Sequence, residues 1–445
     1  MTLVVRRSRR QCRGSRSVAD LEEDRDKVKK AGSLEEYAFR RMRIAGGKLT
    51  AGRTLDESVV ALREVYFKSV DALKRDADAK GTRFVSFANY DYLGLGHDAR
   101  VRSAAARAAE EWGLGSEASR LVGGNRTIHE LLERELAGFL GVEDALTLVS
   151  GYMTNASLLG HLLTAGDLIF VDDLAHNSIV VGCETSRATT VRFDHGNLDH
   201  LEQLLQERRH NARRALIVVE GLYSMDGDVA DLPRLLEIRD RYDAWLMVDE
   251  AHSIGVLGAT GRGLSEHYGV DPSAIDFIIG TLSKTFAASG GFIAGRKTVM
   301  DWLRFTLPAF VYSVGLSPVI AAAVRKGLSI ICAESWRVER LQENSRHFLA
   351  AAKARRLNTG GAVGAGVITL QFHTPEECMQ AAGKLLRSGY YAPPIAQIGV
   401  PKDKPRIRFF ISASHGLDEM TDALDQLAEE WHPASSAEAT LQLGA

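Results

Sequence analysis

The sequence predicts an α/β protein with a large domain built on a mostly parallel sheet and a smaller α+β C-terminal domain, and three observations predict it. Short apolar runs recur through the middle of the 445-residue chain, at 145–149, 168–171, 189–193, 215–219, 245–248 and 277–279. Several are unbroken rather than alternating, as in strands buried on both faces. Helical stretches separate them from about residue 99 to 283, and polar clusters follow five of them.

Taken in order, residues 1–17 carry Arg6, Arg7, Arg9, Arg10, Arg13 and Arg16 without an acid, and are expected to form a disordered basic tail. From 18 to 95 the chain is charge-rich. Val59, Leu62, Tyr66, Val70 and Leu73 fall at helical spacing and predict one or two amphipathic helices. A strand is expected at 84–89, ended by the turn-prone Asp91-Tyr-Leu-Gly94. The large domain spans 96–345. Strands at 367–371 and 407–411 place the small domain at 346–432, and the Ala/Ser/Gln-rich end, 433–445, is expected to fray.

Composition excludes several function classes. A net charge of −2 gives no footprint for nucleic acid. Cys12, Cys183, Cys332 and Cys378 lie far apart with no paired spacing, so neither a disulfide framework nor a metal site is expected, and a reducing cytoplasm is the default location. No apolar run approaches the roughly 20 residues that span a bilayer.

The clusters carry the chemistry. Ligands of open α/β sheets bind beyond the carboxyl ends of strands, so these groups are expected to meet in one crevice. Lys284 follows the last apolar run among hydroxyls and glycines, a setting for a desolvated amine of lowered pKa. Asp249 ends another apolar run, where a carboxylate is costly unless it meets a cation. A protonated pyridine nitrogen is such a cation, and pyridoxal phosphate is the cofactor that carries one. His252 can reach the ring's phenolic oxygen, and His176 can stack on the ring. Ser224 and Thr281 are candidates for the phosphate or the phenolic oxygen. The turn Ser150-Gly151-Tyr152 opens a helix whose amides suit an anion. Asp249-Glu-Ala-His252 also occurs in helicases, but no phosphate-binding GxxxxGK[ST] precedes it.

These stretches, with Asn89-Tyr-Asp-Tyr-Leu-Gly94, Ser119-Arg-Leu-Val-Gly-Gly124, Glu220-Gly-Leu-Tyr-Ser-Met-Asp-Gly-Asp228 and Arg406-Ile-Arg408, are similar to motifs of the α-oxoamine synthases, in order from about residue 84 to 427. The resemblance implies a fold-type-I transferase that joins a small amino acid (serine, alanine or glycine) to an acyl thioester on CoA or a carrier protein, normally with loss of carbon dioxide. Lys284 would attach pyridoxal phosphate and then move the substrate's α-proton. Asp249 would pair with the ring nitrogen, and Arg408 would bind the substrate carboxylate. Within the family a serine-palmitoyltransferase-like activity is favoured over an 8-amino-7-oxononanoate synthase-like one. The resemblance also implies a homodimer with shared active sites, in which Ser313 reaches the neighbouring subunit's phosphate. Relatives often place Asn beside the Tyr-Leu-Gly turn to aid carboxylate recognition; here Asn89 and Asp91 are the candidates, and an acid at 91 must turn its side chain away.

Overall fold

The computed structural model describes residues 34, 36–38, 52, 54–66, 68–395 and 404–429. The expected tails at 1–17 and 433–445 lie outside them. The chain divides into two units, Met1–Lys68 and Ser69–Ala445. In the first, a helix runs Leu55–Tyr66 with Asp56 and Glu57 in its first turn, where acids favour the helix dipole. The second opens on a helix Val70–Ala79, capped by the Ser69 hydroxyl accepting from the Ala72 amide. The periodic stretch is thus two helices.

Among the described residues twelve strands follow: β1 Val85–Ser86, β2 Asp144–Leu148, β3 Leu168–Asp172, β4 Thr189–Phe193, β5 Ala215–Glu220, β6 Trp245–Asp249, β7 Phe277–Thr281, β8 Gly291–Gly295, β9 Val367–Gln371, β10 Tyr390–Tyr391, β11 Pro394–Ile395 and β12 Arg406–Phe410. Seven form the central sheet in the order β2-β8-β7-β6-β5-β3-β4. Strands β7, β6, β5, β3 and β4 are parallel neighbours, and β8 runs antiparallel between β2 and β7. Buried side chains on one face of the sheet, such as Ile217, Leu246 and Val248, join one apolar cluster, and those on the other, such as Leu216, Val218 and Met247, join a second. The unbroken apolar runs have this cause.

Two expectations change. The strand at 84–89 is only Val85–Ser86, paired with Tyr390–Tyr391. Beyond it the Ser86 hydroxyl accepts from the Ala88 amide and the Asn89 side chain from the Asp91 amide, which turns the chain away. Strand β8 lies beyond the glycines that follow Lys284, where no strand is expected from the sequence. Its glycines hid it, but small size is what the packing requires: a Cβ on Gly291 would lie 2.6 Å from Gly151 Cα.

A three-stranded antiparallel sheet, β11-β12-β9, carries Arg406 and Arg408 on its central strand. The Phe87–Gly96 segment passes beside it, with the Phe410 amide donating to Phe87 O and the Ala413 amide to Tyr92 O. That places Tyr90, Tyr92 and Phe410 together near the ends of the central strands.

Candidate active site

The carboxyl ends of β5, β6 and β7 open into one cavity. It is lined by Gly151, Tyr152, Asn155, His176, Ser178, Glu220, Asp249, His252, Thr281 and Lys284, with Ala251, Ile279, Gly280 and Ser283. Parallel register sets Glu220 beside Asp249 and Asp249 beside Ile279, so two carboxylates emerge side by side.

Lys284 stands three residues past β7 rather than at its end. The turn that holds it is closed by the Ala287 amide on Lys284 O at 2.7 Å and the Leu282 amide on Gly290 O at 2.9 Å. Ala287 takes φ 48°, a left-handed conformation that a non-glycine residue adopts at a cost. Burial lowers the Lys284 amine to about 8; Arg408 acts the same way, while Asp249 and Glu220 oppose it. In the cofactor-free protein, amine-reactive labelling of Lys284 followed by peptide mapping should therefore be half-maximal near pH 8. A midpoint in the ordinary lysine range, about 10.4, would contradict the burial argument.

Asp249 is buried. Its carboxylate accepts from the Asn155 side chain at 2.7 Å and from the Ala251 amide at 2.9 Å. Asn155 also donates to Ser178 Oγ at 3.0 Å, and its own Oδ1 has no hydrogen-bond partner among the described residues. His252 is buried, with Nδ1 2.7 Å from the Tyr92 hydroxyl. Burial, then Lys284 and Arg408, hold its pKa well below the usual imidazole range. Tyr92 is fully buried and its own pKa is raised by desolvation, so it keeps its proton. Donating that proton to Nδ1 avoids an unpaired buried hydroxyl and leaves the histidine proton on Nε2.

His176 caps the helix Asn177–Thr185 and lies edge-on to Tyr152, with ring centroids 6.3 Å apart. Its Nδ1 is 2.7 Å from Ser178 Oγ, and its amide donates to Glu220 Oε1 at 2.6 Å. Burial lowers its pKa, and raises that of Glu220 to about 8 with help from the Asp249 charge. Thr281 Oγ1 donates to Gly290 O and lies 2.8 Å from Ser283 Oγ. A Cβ on Gly151 would fall 2.7 Å from that threonine oxygen, so the helix Gly151–Leu162 presents bare backbone there. Ser150 caps this helix through Oγ, accepting from the Met153 amide.

The remaining expected residues lie outside the cavity wall. Arg408 sits next to it: Nη1 donates to Ser224 O at 2.8 Å, Nη2 lies 3.4 Å from the Tyr90 hydroxyl, and Nε is buried without a partner. Among the described residues no carboxylate pairs with it, whereas Arg406, two residues earlier, is buried against Asp226 at 2.7 Å. Ser224 is buried and meets Arg408 through its carbonyl. Ser313 lies between the exposed Tyr312 and Val314. Asp91 has its side chain engaged in the turn: its two oxygens accept from the Leu95 and Gly96 amides at 2.7 and 2.8 Å. Asn89 shapes the same turn through the Asp91 amide. Asn155, Glu220, Tyr92 and Ser178 had no assigned role. Tyr92 and Glu220 stand in the motif stretches, but only spatial pairing with Asp249, His176 or His252 marks out the four.

The donor set fits pyridoxal phosphate: a buried carboxylate for a ring N–H, a neutral imidazole N–H for an anionic oxygen, an amine of lowered pKa, and a glycine-opened helix N-terminus for a phosphate.

Comparison with known proteins agrees. Residues 82–427 match the family model for aminotransferase class I and II. A putative 8-amino-7-oxononanoate synthase of Desulfovibrio desulfuricans is 38% identical over 349 residues, covering 78% of this chain and 90% of that one. The 8-amino-7-oxononanoate synthase of Petrotoga mobilis is 37% identical over 347 residues, covering 78% and 88%. Among solved structures, the Sphingomonas wittichii serine palmitoyltransferase matches with a TM-score of 0.75 at 26% identity, over 83% of this chain and 97% of that one. The S. paucimobilis serine palmitoyltransferase, solved with a bound pyridoxal-phosphate–myriocin aldimine, matches at 0.75 and 25%, over 85% and 98%. The chain belongs to the α-oxoamine synthases, pyridoxal-phosphate-dependent acyltransferases of the aminotransferase class I and II family.

Proposed function

We propose that the protein condenses a small α-amino acid with an acyl thioester, joining the α-carbon to the acyl carbon and releasing the thiol and carbon dioxide. The observation that carries this reading is the meeting of Lys284, Asp249 and His252 in one cavity, with an unpaired Arg408 close enough to act electrostatically on Lys284 and His252. When bound, pyridoxal phosphate supplies the electron sink for bonds broken at the amino acid's α-carbon.

The chain's own residues do the rest. Asp249, positioned by Asn155, would hold a proton on the ring nitrogen. His252, its tautomer fixed by Tyr92, would offer Nε2–H to the phenolic oxygen. His176, held by the Ser178 hydroxyl, would stack on the ring. The amides opening Gly151–Leu162 would take the phosphate, joined by the Thr281 hydroxyl if it turns from Gly290 O, with Ser224 and Ser150 in the neighbouring loops. Lys284 would attach the cofactor and, as a free amine, would accept the substrate's α-proton; an amine near pKa 8 suits that task at neutral pH. Arg408 binds the substrate carboxylate, since its unpaired Nε and its Nη2 form an edge matched to two oxygens. Arg408→Lys should raise the amino-acid KM by roughly 10–100-fold, the worth of a charge-assisted bidentate bond, and leave the thioester KM unaltered. Equal effects on both substrates would count against this role.

A homodimer is part of the reading. The Ser313 loop exposes Tyr312 (87%) and Val314 (58%), and the loop bonded to it through Gly315 N and Ser317 Oγ exposes Leu114 (79%) and Val122 (84%). Apolar residues this exposed, clustered on two joined loops, suit burial against a second copy that takes Ser313 to its phosphate. Among the described residues, no helix is long and apolar enough to cross a membrane.

The substrate pair is the open choice. The sequence relatives bear the name 8-amino-7-oxononanoate synthase, and the structural neighbours include both serine palmitoyltransferases and an 8-amino-7-oxononanoate synthase; serine, alanine and glycine each stand as candidates. The deciding experiment screens amino acids for spectral change of the holoenzyme, then measures thiol release on adding an acyl-thioester panel. Spectral change without thiol release from any thioester would favour a pyridoxal-phosphate aldolase or aminotransferase instead.

A further inference from the structure

Behind the cavity, in the loop after β4, His195 lies between two carboxylates. Its Nδ1 is 2.9 Å from Asp172 Oδ1 and its Nε2 is 3.1 Å from Asp228 Oδ2. A carboxylate at each ring nitrogen requires a proton on both, so this histidine is an imidazolium. The Tyr223 ring packs edge-on against it, with centroids 4.5 Å apart.

The two carboxylates belong to different parts of the site. Asp172 ends β3, and it also accepts from the Leu174 amide at 2.8 Å and the Gly196 amide at 3.0 Å. It thereby fastens the turn that runs on to His176. Asp228 closes the loop after β5, with the Tyr223 amide donating to Asp228 O and the Gly227 amide to Tyr223 O, each at 2.9 Å. The opposite side of this loop meets β12. There Ser224 O accepts from Arg408 Nη1, and Met225 O and the Asp226 carboxylate accept from Arg406. The loop at 221–228 thus joins the central sheet, through His195, to the small sheet, through two arginines.

We propose that His195 is a positioning residue for amino-acid recognition: a charged pin between Asp172 and Asp228 that fixes the loop whose Ser224 carbonyl aims Arg408. The proposal rests on the reading of Arg408 as the carboxylate-binding residue. A fixed anchor matters because a guanidinium fork recognises a carboxylate by direction as well as charge. Burial alone would lower the His195 pKa, but hydrogen bonds and charges from Asp172 and Asp228 raise it to about 10. The groups facing it are Asp172 from β3, and Tyr223 and Asp228 from the loop after β5; Glu220 stands behind Asp172. A raised pKa means that the pin's contribution to stability is complete below about pH 6.5, the unfolded value. It is lost as pH rises through about 10.

The test compares holoenzymes carrying His195→Gln, His195→Lys and Arg408→Lys. His195→Gln should raise the amino-acid KM about tenfold, with kcat and the thioester KM within about twofold, because a misaimed arginine loses ground-state and transition-state binding alike. His195→Lys, which keeps the charge, should recover part of the loss. A merely structural histidine would lower the melting temperature without splitting the two KM values. Independently, ring-labelled NMR of the unsubstituted protein should show His195 protonated from pH 5 to about 9, above the usual histidine range. Titration near pH 6.5 overturns the pin, and this measurement decides the matter if the glutamine variant does not fold. An unchanged amino-acid KM in His195→Gln, when Arg408→Lys raises it, also overturns the proposal. If Arg408→Lys leaves the KM unchanged, the reading of Arg408 fails, and the positioning role falls with it whatever the NMR result.

Discussion

Lys284→Ala should give a folded protein without the visible, borohydride-reducible chromophore of a lysine–cofactor linkage, and with turnover reduced by roughly 10³-fold or more. The fold should survive because Lys284 stands in a turn closed by backbone bonds that alanine retains, the Ala287 amide on its carbonyl and the Leu282 amide on Gly290 O. What is lost is an amine that burial holds near 8, between two carboxylates that both act to raise it. Among the described residues no other lysine lines the cavity. Removing the cation leaves Glu220 and Asp249 facing each other, and Glu220, already raised to about 8, should take up a proton more readily still. Pyridoxal phosphate can then bind only without a covalent bond, at lower affinity. A variant with an unchanged reducible chromophore would end the assignment of Lys284.

The residues legible in the sequence share one property: they follow apolar strands. Asp249, His252, Thr281 and Lys284 all come within a few residues of buried runs, and position relative to a strand end is what a parallel sheet converts into a place in the crevice. Partners across the fold were harder to read. Asn155 stands 94 residues from the Asp249 it orients, and Tyr92 stands 160 from His252. Such pairs follow from tertiary packing, not from local pattern. Glu220 looked like one more polar residue after a strand until register with Asp249 made it half of a carboxylate pair. Asp91 was a candidate only through its place beside the Tyr-Leu-Gly turn, and its charge argued against carboxylate binding; the backbone amides of the next turn occupy both oxygens. Strand β8 escaped notice because Gly291 and Gly295 bound it, although its pairing on both sides is complete.

Asp249→Asn should lower kcat by roughly 10²–10³-fold with smaller changes in KM, the size of effect seen when one preorganised electrostatic group is removed from an active site. The substitution preserves shape, so the loss is that of the charge and of one of the two hydrogen bonds that the carboxylate accepts. Without that charge the ring nitrogen has no anion to hold its proton, and electron withdrawal from the substrate weakens. The local consequences run further. Asp249 accepts through one oxygen from Asn155 and through the other from the Ala251 amide, so an asparagine keeps one of these bonds and turns its own N–H groups toward the other donor. Asn155→Ala removes a hydrogen bond to a charged group, worth about 1.5–3 kcal/mol, so it should cost roughly 10–100-fold in kcat on its own. In the Asp249→Asn background it should cost much less, because the two side chains act as one unit. Glu220 provides a second check. With the neighbouring charge gone, its carboxyl no longer feels the repulsion that helps to raise it, and it ionises at lower pH. An anion restored one strand away should then return part of the activity as pH rises, making the deficit of Asp249→Asn smallest on the alkaline side. A deficit independent of pH would mean that Glu220 cannot stand in for Asp249, and that the two carboxylates differ in kind despite their shared register.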